Sequence, residues 1–356
     1  MLDKPVLLSL ARHPGRSRQR GAALLMAMVI VTLVSTLAAS MVWQQWRAVQ
    51  VESAERVRSQ SAWVLSGALD WARLILREDG KNEQVDHLGE VWAMPLAEAR
   101  LSTFLAADGN NNSAADSDDS PEAFLSGKVE DAHAKYNLRH LVEGVAVNDD
   151  QVKVFKRLLE FLSLPPSLAD GIAASMAKAA LAEASYVSND PAVLEKLGGE
   201  TGRAQAPLMP QSFDQLLWLG LDAGTLEKLR PYVTLLPTAG TLVNINTAPK
   251  EVIAAVVDGL DLARAARLVQ ARQRKPFKAL PGDLIDVLGQ SQPQWNTSRL
   301  DFKSEYFEVK GRLRYEDNVI EQRHLVQRQS GGSDVLVLQQ SRFSGLDRGA
   351  EGATPP

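Results

Sequence analysis

Residues 22–46 read AALLMAMVIVTLVSTLAASMVWQQW, an unbroken run from Ala22 to Trp46 without a charged side chain. A helix needs about 20 apolar residues to cross the hydrocarbon core of a bilayer, and this run exceeds that. It closes on Trp43 and Trp46, amphipathic aromatics favoured at membrane interfaces, followed by Arg47. Arg16, Arg18 and Arg20 stand just before it. Positive flanks stay on the cytoplasmic side, so residues 1–20 are expected there. The rest of the chain then faces the periplasm from a single-pass anchor in the inner membrane. A cleaved secretory signal is the plainer alternative, with Ala38-Ala39-Ser40 as its small-residue site, but such signals have a shorter apolar core.

Outward from this span the helical pattern continues. Residues 47–78 hold no proline, and Val57, Val64, Leu65, Ala68, Leu69, Ala72, Ile75 and Leu76 recur at the spacing of one helical face. Gly80 and Asn82 punctuate it. A helix over 22–78 would be roughly 85 Å long, half in lipid and half a periplasmic spine.

The remainder is long enough for substantial cores, with 45% apolar residues in 356. The net charge of -4 hides an asymmetry: residues 1–21 carry about +4, and the rest, with 34 basic and 42 acidic side chains, about -8. An acidic body gives no general reason to expect a polyanionic partner. The absence of cysteine excludes disulfides and thiolate metal sites.

Gly21 sits between the basic leader and the apolar run. Arg18-Gln-Arg-Gly21 followed by Ala22-Ala-Leu-Leu resembles a type IV prepilin peptidase site, which is cut after the glycine so that the span is retained. On that resemblance the mature chain begins at Ala22. Most prepilins carry glutamate at the fifth mature position, whereas this chain has Met26. GspK-type minor pseudopilins of type II secretion systems lack that glutamate, and further segments resemble theirs. Asp131-Ala-His and Tyr136-Asn-Leu-Arg139 are similar to their Asp-Ala-Gln and Phe-Asn-Leu-Asn pattern, and Asn244-Ile-Asn-Thr-Ala-Pro249 matches directly.

The body reads as two kinds of segment. Residues 122–138 alternate in part, as a hairpin does. Val152 to Leu164 is amphipathic and stopped by Pro165-Pro166, Leu168 to Ala184 is alanine-rich, and 198–210 is a Gly/Pro-rich linker. Tyr306 to Tyr315, Asn318 to Gln329 and Val335 to Gln339 read as three antiparallel strands joined by turns. Residues 241–289 resemble a helix-hairpin-helix module, many of which present backbone N–H groups to phosphate. Arg264, Arg267, Arg272, Arg274 and Lys275 lie in it, but its turn, Asp258-Gly-Leu-Asp261, carries two carboxylates that repel phosphate. A packing module in which Asn244 and Asn246 bridge backbone is the expectation, and no nucleic acid is expected as partner.

No nucleophile elbow, Walker loop, His-Glu-x-x-His or dinucleotide fingerprint occurs, so no catalytic residue is named. Hard oxygen donors crowd one loop: Asp108, Asn110, Asn112, Asp116, Asp118 and Asp119. The set suits calcium, although the spacing is not that of an EF-hand.

The GspK resemblance implies an α+β fold: a long N-terminal transmembrane and spine helix, an antiparallel pseudopilin sheet, and a large inserted helical domain with a helix-hairpin-helix-like part. The expected boundaries are a leader over 1–21, the membrane helix over 22–46 and the spine over 47–80. Sheet segments follow over 81–147 and 300–341, around an insertion over 148–299, with a disordered tail over 342–356. The resemblance also implies calcium binding, processing by prepilin peptidase with methylation of the new terminus, and partnership with GspI, GspJ and the major pseudopilin filament. The role would be to prime the pseudopilus at its tip for export of folded proteins. The rival is a type IV pilus or DNA-uptake minor pilin whose helix-hairpin-helix binds nucleic acid.

Overall fold

The structure is a computed structural model. It describes residues 20–82, 85–101, 123–188, 191–290, 295–315, 318–329, 331 and 334–346. The chain divides into two units at Ala62/Trp63. In chain order the described elements begin with α1 (Arg20–Asn82), β1 (Leu96–Arg100) and β2 (Ala123–Asp131). Then follow β3 (Tyr136–Asn137), β4 (Val142–Glu143), β5 (Ala146–Val147), α2 (Asp149–Phe161), α3 (Ser167–Ser188), α4 (Pro191–Lys196), α5 (Gly199–Ala204) and α6 (Ala223–Leu229). Next come β6 (Val233–Thr234), β7 (Val243–Asn244), α7 (Lys250–Val256), α8 (Leu262–Arg274), α9 (Gly282–Leu288) and β8 (Leu300–Asp301). The chain closes with β9 (Tyr306–Tyr315), β10 (Asn318–Arg328) and β11 (Val335–Leu346).

In the first unit the large apolar side chains of α1 from Leu24 to Val51 are each at least 55% exposed. Such a surface is costly in water and natural in lipid. The helix is long and apolar enough to cross a membrane, with a mean hydropathy of 2.4 over its most apolar stretch. It runs to Asn82, two residues past the expected end of the spine.

In the second unit, one stripe of α1 turns inward. Leu65, Ala72 and Leu76 are buried, and with Leu69 they follow the alternating three- and four-residue spacing of one helical face. They pack on a five-stranded antiparallel sheet of order β1-β2-β9-β10-β11, against Leu125, Phe307, Val309, Leu313, Ile320, Val326 and Val335. Trp92 meets Phe307 edge-to-face at 5.2 Å. Gly127 and Gly311 face one another across β2 and β9. A Cβ at Gly127 would stand 2.9 Å from the Lys310 carbonyl oxygen and one at Gly311 would stand 3.0 Å from Leu65 Cδ2. The sheet has no side-chain volume to spare there.

The neighbours β2 and β9 are separated in sequence by residues 132–305. That insertion has its own core, built from α2, α3 and α7 with Tyr136, Leu138 and Leu141. α2 starts where Asn148 accepts a bond from the Gln151 N–H, at 3.2 Å. It ends in a Schellman arrangement: Ser163 takes a left-handed conformation (φ 56°) and the Leu164 N–H reaches the Leu159 carbonyl at 2.8 Å, just before the two prolines.

Four expectations need correction. Residues 122–138 do not form a hairpin. β2 runs straight to Asp131 between β1 and β9, because its long-range partners offer more backbone pairing than a local turn would. The helical core begins at Tyr136 rather than 148, since Tyr136 stacks on Phe155 at 5.7 Å. Within the expected linker, Gly199–Ala204 is helical. β11 continues to Leu346, paired with β10 throughout, so residues 342–346 are strand.

Candidate functional site: a buried polar junction

Asp131 closes β2 and is only 3% exposed. Its Oδ1 accepts from the His133 N–H at 2.7 Å, which caps the short turn after the strand. Its Oδ2 accepts from Asn244 Nδ2 (3.0 Å), Thr247 Oγ1 (2.5 Å) and Ser304 Oγ (2.7 Å). Asn244 Nδ2 also reaches the Asp86 carbonyl at 3.1 Å, while its Oδ1 accepts from the Asn246 N–H. Asn246 pairs with the backbone of Phe277 in both directions, at 3.0 and 2.8 Å, much as a strand residue would. Both asparagines therefore bridge buried backbone, as the sequence reading expected. Buried polar groups require partners, and this junction supplies them from both ends of the insertion, the sheet and the α1–β1 link.

Arg328, at the end of β10, completes the junction. It donates to Asp79 at 2.6 Å, to Asp86 at 2.5 and 2.7 Å, and to the Ser304 carbonyl at 2.8 Å. Burial raises the Asp86 carboxyl above its ordinary value, and the Arg328 guanidinium opposes that shift. Among the described residues, Asp79, Asp86 and Glu90 bring ligand atoms within 4.8 Å of one another. The cation facing the two aspartates is already present as Arg328. Nothing local in the sequence marked Asp79, Asp86, Glu90, Ser304 or Arg328, since their partners lie up to 249 residues away.

Within the basic stretch of the helix-hairpin-helix-like segment, Arg272 is turned to internal use, while Arg264, Arg267, Arg274 and Lys275 remain exposed. Arg272 donates to the carbonyls of Ile245 (2.5 Å) and Ala248 (2.6 Å), and burial lowers its pKa to about 10. Arg267 donates to the Val287 carbonyl at 2.8 Å. Arg264 lies over the Trp295 ring. In the turn, Asp258 accepts from Arg157 (2.6 Å) and Arg299 (3.2 Å). Burial pushes that carboxyl up, but the two arginines hold it below its ordinary value. Asp261 caps α8 through the Arg264 N–H. A turn flanked by two carboxylates, with Arg157 and Arg299 already bound to one of them, is a poor phosphate cradle.

Of the other expected sites, Gly21, Ala22 and Met26 fall in α1, where Met26 is 65% exposed. The six oxygen-donor residues from Asp108 to Asp119 lie outside the described residues.

The model for the type II secretion system (T2SS), protein K family matches residues 243–303, and its first-domain model matches residues 134–238. The type II secretion system protein K of Pseudomonas aeruginosa is 30% identical over 279 residues, covering 74% of this chain and 75% of the relative. This chain belongs to the type II secretion system protein K family. The Pectobacterium carotovorum protein K is 27% identical over 346 residues, covering 91% of this chain and 96% of its own length. The fold is shared with a chain in the crystal structure of the GspK-GspI-GspJ complex from the enterotoxigenic Escherichia coli type 2 secretion system. That match has a TM-score of 0.54 and 18% identity, over 82% of this chain and 98% of the other. The role is that of a minor pseudopilin, and the DNA-uptake rival is not favoured. Both family-model matches fall in the insertion, and Asn244 and Thr247 of the junction lie in the one over residues 243–303.

Proposed function

We propose that this protein K chain stands in one copy at the tip of a pseudopilus. There it primes assembly with GspI- and GspJ-like minor pseudopilins, for export of folded proteins across the outer membrane. The observation that carries the reading is the insertion between adjacent strands. A folded segment of that length has a radius of gyration near 16 Å, whereas packed helices stand only about 8–10 Å apart. Repeating it at every position of a shaft of close-packed spine helices would clash. Met26 supports the same placement. The usual glutamate pairs with the terminal amine of the next subunit, and an unmatched charge there costs on the order of 2.5–3.5 kcal/mol in the bilayer. A subunit with nothing above it avoids that cost by carrying an apolar residue.

On the same reading the chain sits in the inner membrane with its body in the periplasm and is cut by prepilin peptidase after Gly21, which the basic residues before the apolar run and the Arg-Gly-Ala sequence support. Electron microscopy of sheared pseudopili carrying labelled protein is expected to find label at one filament end only. Overexpression should give more but shorter filaments, since each extra tip draws on the same pool of major subunit. Label spread along the shaft would refute the placement.

Calcium binding by Asp108, Asn110, Asn112, Asp116, Asp118 and Asp119 is part of the same reading, supported by the crowding of hard oxygen donors. Millimolar calcium should raise the melting temperature of the full chain in detergent, by about 2.7 kcal/mol of stability at a hundredfold excess over Kd. Asp116→Ala or Asp119→Ala should reduce that gain. Identical melting with calcium and with chelator removes the ion from the account.

A further inference from the structure

The link between α1 and β1 buries an acid in an unusual setting. Glu90 is 6% exposed. Its Oε2 accepts a bond from the Trp92 indole N–H, but Oε1 has no hydrogen-bond partner. A buried carboxylate oxygen without a donor is costly, whereas a protonated one becomes a donor itself. Asp79 from α1 and Asp86 from the link each bring a carboxylate oxygen within 4.8 Å of a Glu90 oxygen, and both are bonded to Arg328 from β10. His87 Nε2 stands 3.5 Å from Oε1, and its Nδ1 accepts from the Gly89 N–H. One guanidinium cannot neutralise three carboxylates.

We propose that Glu90 is a proton-dependent latch. Its neutral carboxyl, with the proton on Oε1, lets the α1–β1 link pack beside Asp79 and Asp86, and the link loosens as that proton is lost with rising pH. The protonation behaviour agrees. Burial pushes the Glu90 carboxyl up to about 8; the Trp92 bond opposes this, and the charges of Asp79 and Asp86 add to it. Because the folded pKa lies above the unfolded one, the latch is at full strength below about pH 4.5 and is progressively lost as pH rises towards about 8. Above that the loss is complete and the profile levels off.

Hydrogen exchange on the full chain in detergent tests this, with rates corrected for intrinsic pH dependence. The amides to follow are those bonded within and from the link: Asp86 to the Phe302 carbonyl, Glu90 to His87 and Ala93 to Glu90. Their protection should fall by up to roughly tenfold per pH unit between pH 5.5 and 8, while amides in the core of the insertion stay unchanged. Glu90→Gln should flatten the profile. Asp79→Asn, which removes one repelling charge, should make it level off at lower pH and serves if Glu90→Gln does not fold. Link protection that is constant with pH in the wild type would overturn the latch, as would the same fall in either variant.

Discussion

Asp131→Ala should be the most destabilising single substitution in the body, lowering unfolding free energy on the order of 3–5 kcal/mol. Four donors converge on this one carboxylate, from His133, Asn244, Thr247 and Ser304. Removing it strands hydroxyl and N–H donors away from water, and a stranded buried donor costs about 1–3 kcal/mol. Two effects limit the total. Asn244 Nδ2 keeps the Asp86 carbonyl, and the loss of the Asp131 charge relieves some of the pressure on the Asp86 carboxyl. The remainder is still a large fraction of the about 5–15 kcal/mol that holds a typical domain. Chemical denaturation of the full chain in detergent measures it. Asp131→Asn should fall between the two, because it keeps one acceptor oxygen but turns an NH2 group towards existing donors. An alanine variant within about 1 kcal/mol of wild type, the range of an ordinary substitution, would show that packing rather than this junction joins the insertion to the sheet.

Gly21→Val should leave the whole chain uncut when it is coexpressed with prepilin peptidase, while the wild type loses 21 residues and starts at Ala22. The proposed leader is the basic stretch ending Arg18-Gln-Arg-Gly21, and a β-branched side chain at the proposed cut would fill space that glycine leaves open. Valine is apolar, so membrane insertion should be unaffected and the variant should fractionate with the membrane at full length. That separates failed processing from failed targeting. Terminal sequencing of the wild type decides the chemistry, and a start near residue 40 would assign the cut to signal peptidase at Ala38-Ala39-Ser40 instead.

Much of the architecture was legible from residues close together in sequence. An uncharged run between basic and aromatic flanks marks by itself a helix long and apolar enough to cross a membrane. The inward stripe Leu65, Leu69, Ala72 and Leu76 follows from helical periodicity. The β9–β10–β11 meander follows from alternation and short turns. Asn244 and Asn246 could be read as backbone bridges because they stand in one recognisable segment.

Tertiary structure decided what depends on distant partners. That β2 continues to Asp131 beside β9 rests on pairing across residues 132–305, which no local pattern encodes. Tyr136 belongs to the helical core because Phe155 meets its ring. Arg272 looked like part of a basic surface, yet the carbonyls of Ile245 and Ala248 turn it inward. Asp79, Asp86, Glu90 and Arg328 are ordinary surface residue types in the sequence. They become a buried charge cluster only when the end of α1, the link behind it and the end of β10 converge. Periodicity and hydropathy are properties of neighbours along the chain and can be read directly. Burial and electrostatic pairing are properties of neighbours in space, and here they exist only once a sheet has closed around an insertion.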